Sequence, residues 1–400
     1  MSLNRRHFLS LTTGAALLPA LAEFAEAADW TAVEAEARGQ SVYFNAWAGA
    51  DNINAYIAWA GEQVKARFDV TLNHVKITDT AEVVKRVRDE VKAGKAEGSV
   101  DLVWINGENF RILKTEQLLF GPFAEALPNF ALVDVKGKPT TQQDFTEATQ
   151  GLESPWGMAQ FTFFGDGAHI KSPPRSMAEL AVFAKANPGR VTYPAPPDFH
   201  GTTFLKQALL EVTADRSVFA KPVDSAAFAA LAKPWLTFLD AVRPSLWREG
   251  RQYPKSQSEI TQMVADGELL IGITFNPNEP ANLVAAGTLP KSTVAWQHSG
   301  GTIGNSHFVA IPANAKAKAG AQVVANFLLS AEAQAHKNDL KVWGDPTVLD
   351  ITRLSAEQAK LFTAVTGAGS LTFPAPALLE PHASFVALIE STWLSTYGKG

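Results

Sequence analysis

The chain contains no cysteine. That one absence removes thiol nucleophiles, Cys-ligated zinc, iron–sulfur clusters and disulfide staples together. Positive charge is also in short supply. The formal net charge is -5 and no stripe of Lys and Arg interleaves with aromatics, which argues against nucleic acid as a partner. His-Glu-x-x-His spacing, a Gly-x-Ser-x-Gly elbow and a strand-following Gly-x-Gly-x-x-Gly are all missing, so the local signatures of zinc hydrolases, α/β hydrolases and dinucleotide binders have no support. No Asp–Glu spacing singles out a general acid and base.

Long apolar runs are lacking as well. The stretch from Leu11 to Leu21 is interrupted by Gly14 and Pro19 and is too short to span a bilayer. It follows Arg5-Arg6-His7-Phe8-Leu9 and precedes small residues around Ala25-Glu26-Ala27. The order of charge, apolar run and small residues is that of an export signal, and the arginine pair resembles the twin-arginine address. Residues 1–27 are therefore expected to be a signal peptide, with a second candidate cut after Ala22. Without a cysteine for acylation, the exported chain is expected to diffuse freely in the periplasm.

What is present is an ordinary globular composition: 400 residues, 46% hydrophobic and 19% charged, enough for two lobes. Ser41 to Asn45 reads as a strand and Asn52 to Phe68 as an amphipathic helix. Thr71 to Ile77 alternates as a strand, and a helix capped by Thr80 follows with Val83, Val84, Val87 and Val91 on one face. Val100 to Ile105 is a third apolar strand. This βαβαβ order predicts a parallel, doubly wound sheet. New territory begins near Gln160, where strands at Gln160–Phe164, Arg190–Pro196 and Leu269–Glu279 alternate with helices. Pro234 and Pro244 bracket one of those helices. The chain returns through "GGTIGNSHFVAIP", a long helix from Lys318 to Lys337 and a C-terminal helix. Leaving one lobe near 155 and returning near 300 implies two crossings, hence a hinge. The expected layout is lobe 1 over 28–154, lobe 2 over 155–299, and a return to lobe 1 with C-terminal helices over 300–400.

The blocks "DLVWINGENF", "GPFAEALPN", "RVTYPAPPDFHGTTF", "GTIGNSHFVAIP" and "VVANFLLSAEAQ", in this order, resemble the solute-binding proteins of bacterial ABC importers. They are most similar to the branch with thiamine-, polyamine- and iron-binding proteins, and within it to the YnjB type. The resemblance implies an α/β, two-lobed periplasmic-binding-protein (type II, Venus flytrap) fold with two doubly wound sheets and a hinge. It also implies capture of a small solute outside the cytoplasmic membrane and delivery to a permease there, by a monomer without cofactor, metal or catalytic residues. Iron binders of this branch use neighbouring tyrosines. The five here, at 43, 56, 193, 253 and 397, are never adjacent.

In open α/β sheets ligands sit beyond the carboxyl ends of the strands. On lobe 1 that directs attention to Asn45, Trp47 and Asp51 after the first strand, to Trp104, Asn106, Gly107, Glu108 and Asn109 after the third, and to Thr302 near the return. Trp47 offers a stacking face, or packs beneath the first helix. Asn106 serves as a helix N-cap, as a ligand contact, or as both. On lobe 2, Gly201, Thr202 and Thr203 open a helix whose free N–H groups suit a carboxylate or phosphate, or merely cap it. Trp247 and Tyr253 add stacking surface, and Asn276 and Glu279 end a strand. The mix of aromatic and acidic residues points to a polar or cationic-aromatic solute, and thiamine is the choice that the resemblance favours. Two rival readings use the same cleft: a periplasmic enzyme with a cofactor loaded before export, and a receptor that presents its solute to a membrane sensor.

Overall fold

The computed structural model describes residues 30–362 and 367–398, and the expected signal peptide, 1–27, lies outside the described residues. After helix α1 (residues 30–37) come β1 (Ser41–Trp47), α2 (Asp51–Phe68), β2 (Thr71–Ile77), α3 (Thr80–Lys92), β3 (Leu102–Ile105) and α4 (Glu108–Thr115). Strands β2, β1 and β3 lie parallel and adjacent. Apolar residues of α2 at Ile53, Tyr56, Ile57, Ala60 and Val64 face one core, while Val83, Val84 and Val87 of α3 face another. Helices thus cover both faces of the sheet, as its apolar strands require. The cap of α3 is Asp79 rather than Thr80: its carboxylate accepts from Ala81 N–H at 2.8 Å.

A small hairpin, β4 (Gln143–Asp144) with β5 (Glu147–Ala148), precedes β6 (Glu153–Gln160). The second sheet starts immediately afterwards with β7 (Thr162–Asp166). Then come α5 (Met177–Ala186), α6 (Phe199–Val212), α7 (Ser225–Val242), α8 (Gln257–Ala265), β8 (Gly272–Thr274), α9 (Glu279–Ala285) and β9 (Thr293–Trp296). Two expectations change here. Arg190–Pro196 forms no strand, since Pro194 and Pro196 have no N–H to give a ladder. Pro234 lies inside α7 rather than at its start.

The return is β10 (Thr302–Ala310), which runs antiparallel between β3 and β6 in the first sheet. The expected long helix is two, α10 (Lys318–Leu328) and α11 (Ala331–Asn338), because Ser330 caps the second by accepting from Ala333 N–H. After α12 (Ala356–Ala359), β11 (Leu371–Phe373) joins the second sheet in the order β11-β9-β7-β8, and β12 (Ala377–Leu378) joins the first in the order β12-β10-β3-β1-β2. The chain thus crosses before β11, between β11 and β12, and again after β12, three crossings beyond the two expected. The last of these delivers α13 (Ser384–Tyr397), whose Phe385, Ile389 and Trp393 sit in the second lobe's core.

Candidate ligand-binding site

The carboxyl end of β3 turns sharply at Gly107, with φ of 60°. A Cβ there would lie 2.7 Å from the Phe145 ring, so both the backbone conformation and the packing require glycine. Gly107 rather than Asn106 is the N-cap of α4, and Asn106 instead reaches β10, donating to the Ser306 carbonyl at 2.6 Å. Gly107 N–H donates to the buried Asp144 carboxylate at 2.5 Å, which ties the hairpin to this turn. Glu108 follows, half-buried, and it faces charges contributed by the second lobe.

Those charges converge from three elements. Lys206 of α6 and Glu380, just after β12, form an ion pair at 2.6 Å with side chains 2% and 1% exposed. Asn305 of β10 donates to the other Glu380 oxygen at 3.0 Å. Thr202 donates to Glu390 of α13 at 2.7 Å. The Lys206 ammonium also lies 4.5 Å from the Phe145 ring centre and 5.5 Å from that of Phe199, which is 42% exposed.

Charge is unbalanced here. Burial raises the Glu108 carboxyl above the ordinary range, opposed by Lys206 and reinforced by Glu390 and Glu380. Burial likewise raises Glu380 and Glu390 despite Lys206 beside them. Asp144 is pushed well up, by burial first and then by Glu108 and Glu380. Lys206 thus serves three carboxylates at the junction of the lobes, and the arrangement favours whatever brings further positive charge.

Of the residues expected at a site, the structure brings Asn106, Gly107, Glu108, Gly201, Thr202 and Thr203 toward this junction. Asn109 sits in the first turn of α4, half-buried. The start of α6 is not free for an anion. Asp198 already accepts from His200 and Gly201 N–H at 2.9 and 3.1 Å, and Thr203 donates to the Phe199 carbonyl. A Cβ at Gly201 would lie 2.1 Å from the Pro194 carbonyl oxygen, so this glycine permits close packing. Thr302 is buried at a crossing, where its hydroxyl accepts from Gln160 at 3.1 Å.

The others lie apart. Asn45 is fully buried inside lobe 1, donating to the Tyr43 carbonyl and accepting from Arg86. Trp47 packs on the first lobe's core and folds over Gly49, and Asp51 is an exposed opening residue of α2. Trp104 is half-buried, edge-on to Trp156 at 4.9 Å and His307 at 5.1 Å. Tyr253 joins the second core against Tyr193 and Trp393. Trp247 bonds to the Val191 carbonyl and Glu268, on the amino-terminal side of β8, away from Asn276 and Glu279. Asn276 donates to the Trp343 carbonyl at 3.2 Å, a contact between the lobes, and Glu279 accepts from Thr274 and Gln257. Burial raises the Glu279 carboxyl.

A profile of the bacterial extracellular solute-binding protein family matches residues 59–357. The chain belongs to that family. It is 45% identical over 373 residues to Protein YnjB of Escherichia coli (strain K12), covering 93% of this chain and 95% of that protein. The solved structure of the periplasmic binding protein AfuA from Actinobacillus pleuropneumoniae, with fructose-6-phosphate bound, matches with a TM-score of 0.61 at 14% identity, over 90% of this chain and 99% of that one. A putative spermidine/putrescine ABC transporter protein from Listeria monocytogenes gives 0.60 at 13%, over 88% and 98%. This solute-binding protein therefore has the two-lobed type II periplasmic fold and serves as the extracytoplasmic solute-binding component of an ABC-type transporter. The neighbours are associated with solutes as different as a sugar phosphate and a polyamine, so its ligand has to be argued from its own residues.

Lys206, Glu380, Glu390, Asn305, Phe145 and Phe199 were not among the residues expected at the site. Only Lys206 left a local trace. It is the charged residue within the run of α6 buried from Gly201 to Leu210, and such a lysine needs a partner.

Proposed function

We propose that this solute-binding protein captures a small organic cation carrying a flat ring, thiamine or a relative, between its lobes and delivers it to a permease of the cytoplasmic membrane after twin-arginine export. The observation that carries this reading is the surplus of carboxylate at the lobe junction, where Glu108, Glu380 and Glu390 share Lys206. The exposed Phe199 ring beside it offers a face for stacking or cation–π contact. Anionic solutes are disfavoured twice, by those carboxylates and by Asp198 on the start of α6. The lobes turn about the crossings at Gln160, Thr302 and Ala375. Only the closed form lets a solute touch Glu108 from one side and Glu390 from the other, so binding draws the population toward closure.

Calorimetry on the purified protein against thiamine, its phosphates, polyamines and sugars tests the reading. Heat and a thermal shift with thiamine, fading as phosphates are added to it, are expected. Binding of sugars or phosphates with no response to any cation would sink it.

A further inference from the structure

Lys206 is unusual among the cationic side chains of this fold in where its ammonium ends. It is carried by the second lobe, yet it sits against the Phe145 ring of the hairpin tied to lobe 1 and against Glu380 in the crossing between β12 and α13, at 4.5 and 2.6 Å. Carboxylate, aromatic face and amide-held geometry, the last supplied by Asn305 at 3.0 Å from Glu380, are the components of a site for an alkylammonium ion. The occupant is the protein's own side chain.

We infer that Lys206 is a tethered stand-in for one ammonium group, and that by filling the Glu380–Phe145 seat it lowers the preference of the cleft for doubly charged over singly charged solutes. This rests on the cationic reading above. With Lys206 in place, three carboxylates face one fixed charge, and Glu108 and Glu390 remain for the solute. Without it, the Glu380 seat opens and a second ammonium can enter. A lysine that merely held the lobes together would affect every solute alike, whereas a stand-in changes the order of preference.

The test compares 1,4-diaminobutane with 4-amino-1-butanol, which share a chain length and differ by one charge. Affinities are measured by calorimetry for the wild type, Lys206→Met, and Lys206→Met/Glu380→Gln, with thermal unfolding to confirm that each variant folds. The ratio of diamine to amino alcohol affinity is expected to rise about tenfold or more in Lys206→Met, because one buried carboxylate has lost its cation. It is expected to return toward the wild-type ratio in the double variant, which removes the vacated carboxylate too. A Lys206→Met protein that binds both compounds with the wild-type ratio overturns the inference and leaves the cationic reading standing. Failure of all three proteins to bind either amine, where the wild type binds thiamine, overturns the inference alone, and a wild type that binds no cation at all, thiamine included, overturns the reading on which it rests. If Lys206→Met does not fold, the double variant, whose seat is neutral, still decides: a ratio well above wild type would contradict the role given to Glu380.

Discussion

Two buried lysine–carboxylate pairs sit among the described residues, and they are opposites. Lys337 and Asp345 lie wholly within lobe 1 with side chains 0% and 1% exposed, and His307 reaches the same carboxylate at 3.1 Å. Trp156 and Trp343 cover the Lys337 ammonium at 5.7 and 5.5 Å. Burial alone would raise the Asp345 carboxyl, but Lys337 and His307 outweigh it and hold the group below its ordinary value. Lys206 and Glu380 are equally buried, yet there burial outweighs Lys206 and Asn305 and Glu380 is raised, while the same lysine is also the cation beside Glu108 and Glu390. The first pair is saturated and structural. The second is short of positive charge and lies where the lobes meet. Burial of an ion pair does not mark a binding site; the local imbalance of charge around it does.

The comparison breaks most visibly at Lys337. Lys337→Met strands a carboxylate inside lobe 1 and is expected to cost about 3–5 kcal/mol of stability, read by urea unfolding. Lys206→Met should cost less, because the Glu380 carboxyl is already raised and neutralises more readily. Equal losses would mean that the two pairs do the same job.

Ligand binding supplies the second contrast. Glu108→Gln and Glu390→Gln are each expected to weaken thiamine binding about tenfold, or about 1.4 kcal/mol, with the fold intact. Asp345→Asn should instead lower stability. An affinity unmoved by both glutamine variants would move the solute away from the junction.

These two sites were unequally legible in the sequence. The βαβαβ frame was readable because hydrophobic periodicity is local: Thr71–Ile77 alternates, and the valines of α3 share one face. Gly107 and Glu108 were readable because a strand's carboxyl end is a local feature as well. The partners of Glu108 were not. Lys206 is nearly a hundred residues away, and Glu380 and Glu390 follow the crossings around β11 and β12, which no periodicity announces. Trp104 and Tyr253 misled for a related reason: an aromatic near a strand end looks the same whether it faces a cleft or another ring, and here both face rings.

The opposite shifts of these carboxyls also predict opposite responses to pH. Glu108, Glu380 and Glu390 have carboxyls raised above 4.5 in the folded protein. Between that value and the folded one, the native state holds more protons than the unfolded state, so their contribution to stability falls as pH rises. Asp345, held below 3.8, contributes stability that is present above that value and is lost as pH falls through its folded value. Glu108→Gln/Glu390→Gln is therefore expected to be more stable than wild type at neutral pH, with the gap closing as pH falls toward 4.5. Urea midpoints across that window check the sign. A gap that widens on acidification would contradict the imbalance at the junction.

The smallest effect should come from a third group with the same ingredients. Trp247 has the Arg248 guanidinium 4.3 Å from its ring and donates its indole N–H to Glu268 at 2.7 Å. Aromatic, cation and carboxylate recur, but Arg248 is exposed and donates to Gln252, Glu268 takes the indole N–H, and the group lies on the amino-terminal side of β8. Nothing there is starved of charge. Trp247→Phe keeps an apolar ring and forfeits one hydrogen bond, a loss of about 1 kcal/mol in stability, and it should leave thiamine affinity within about twofold by calorimetry, well inside one factor of ten. A large loss of affinity would show that composition rather than charge balance and position distinguishes a binding group in this fold.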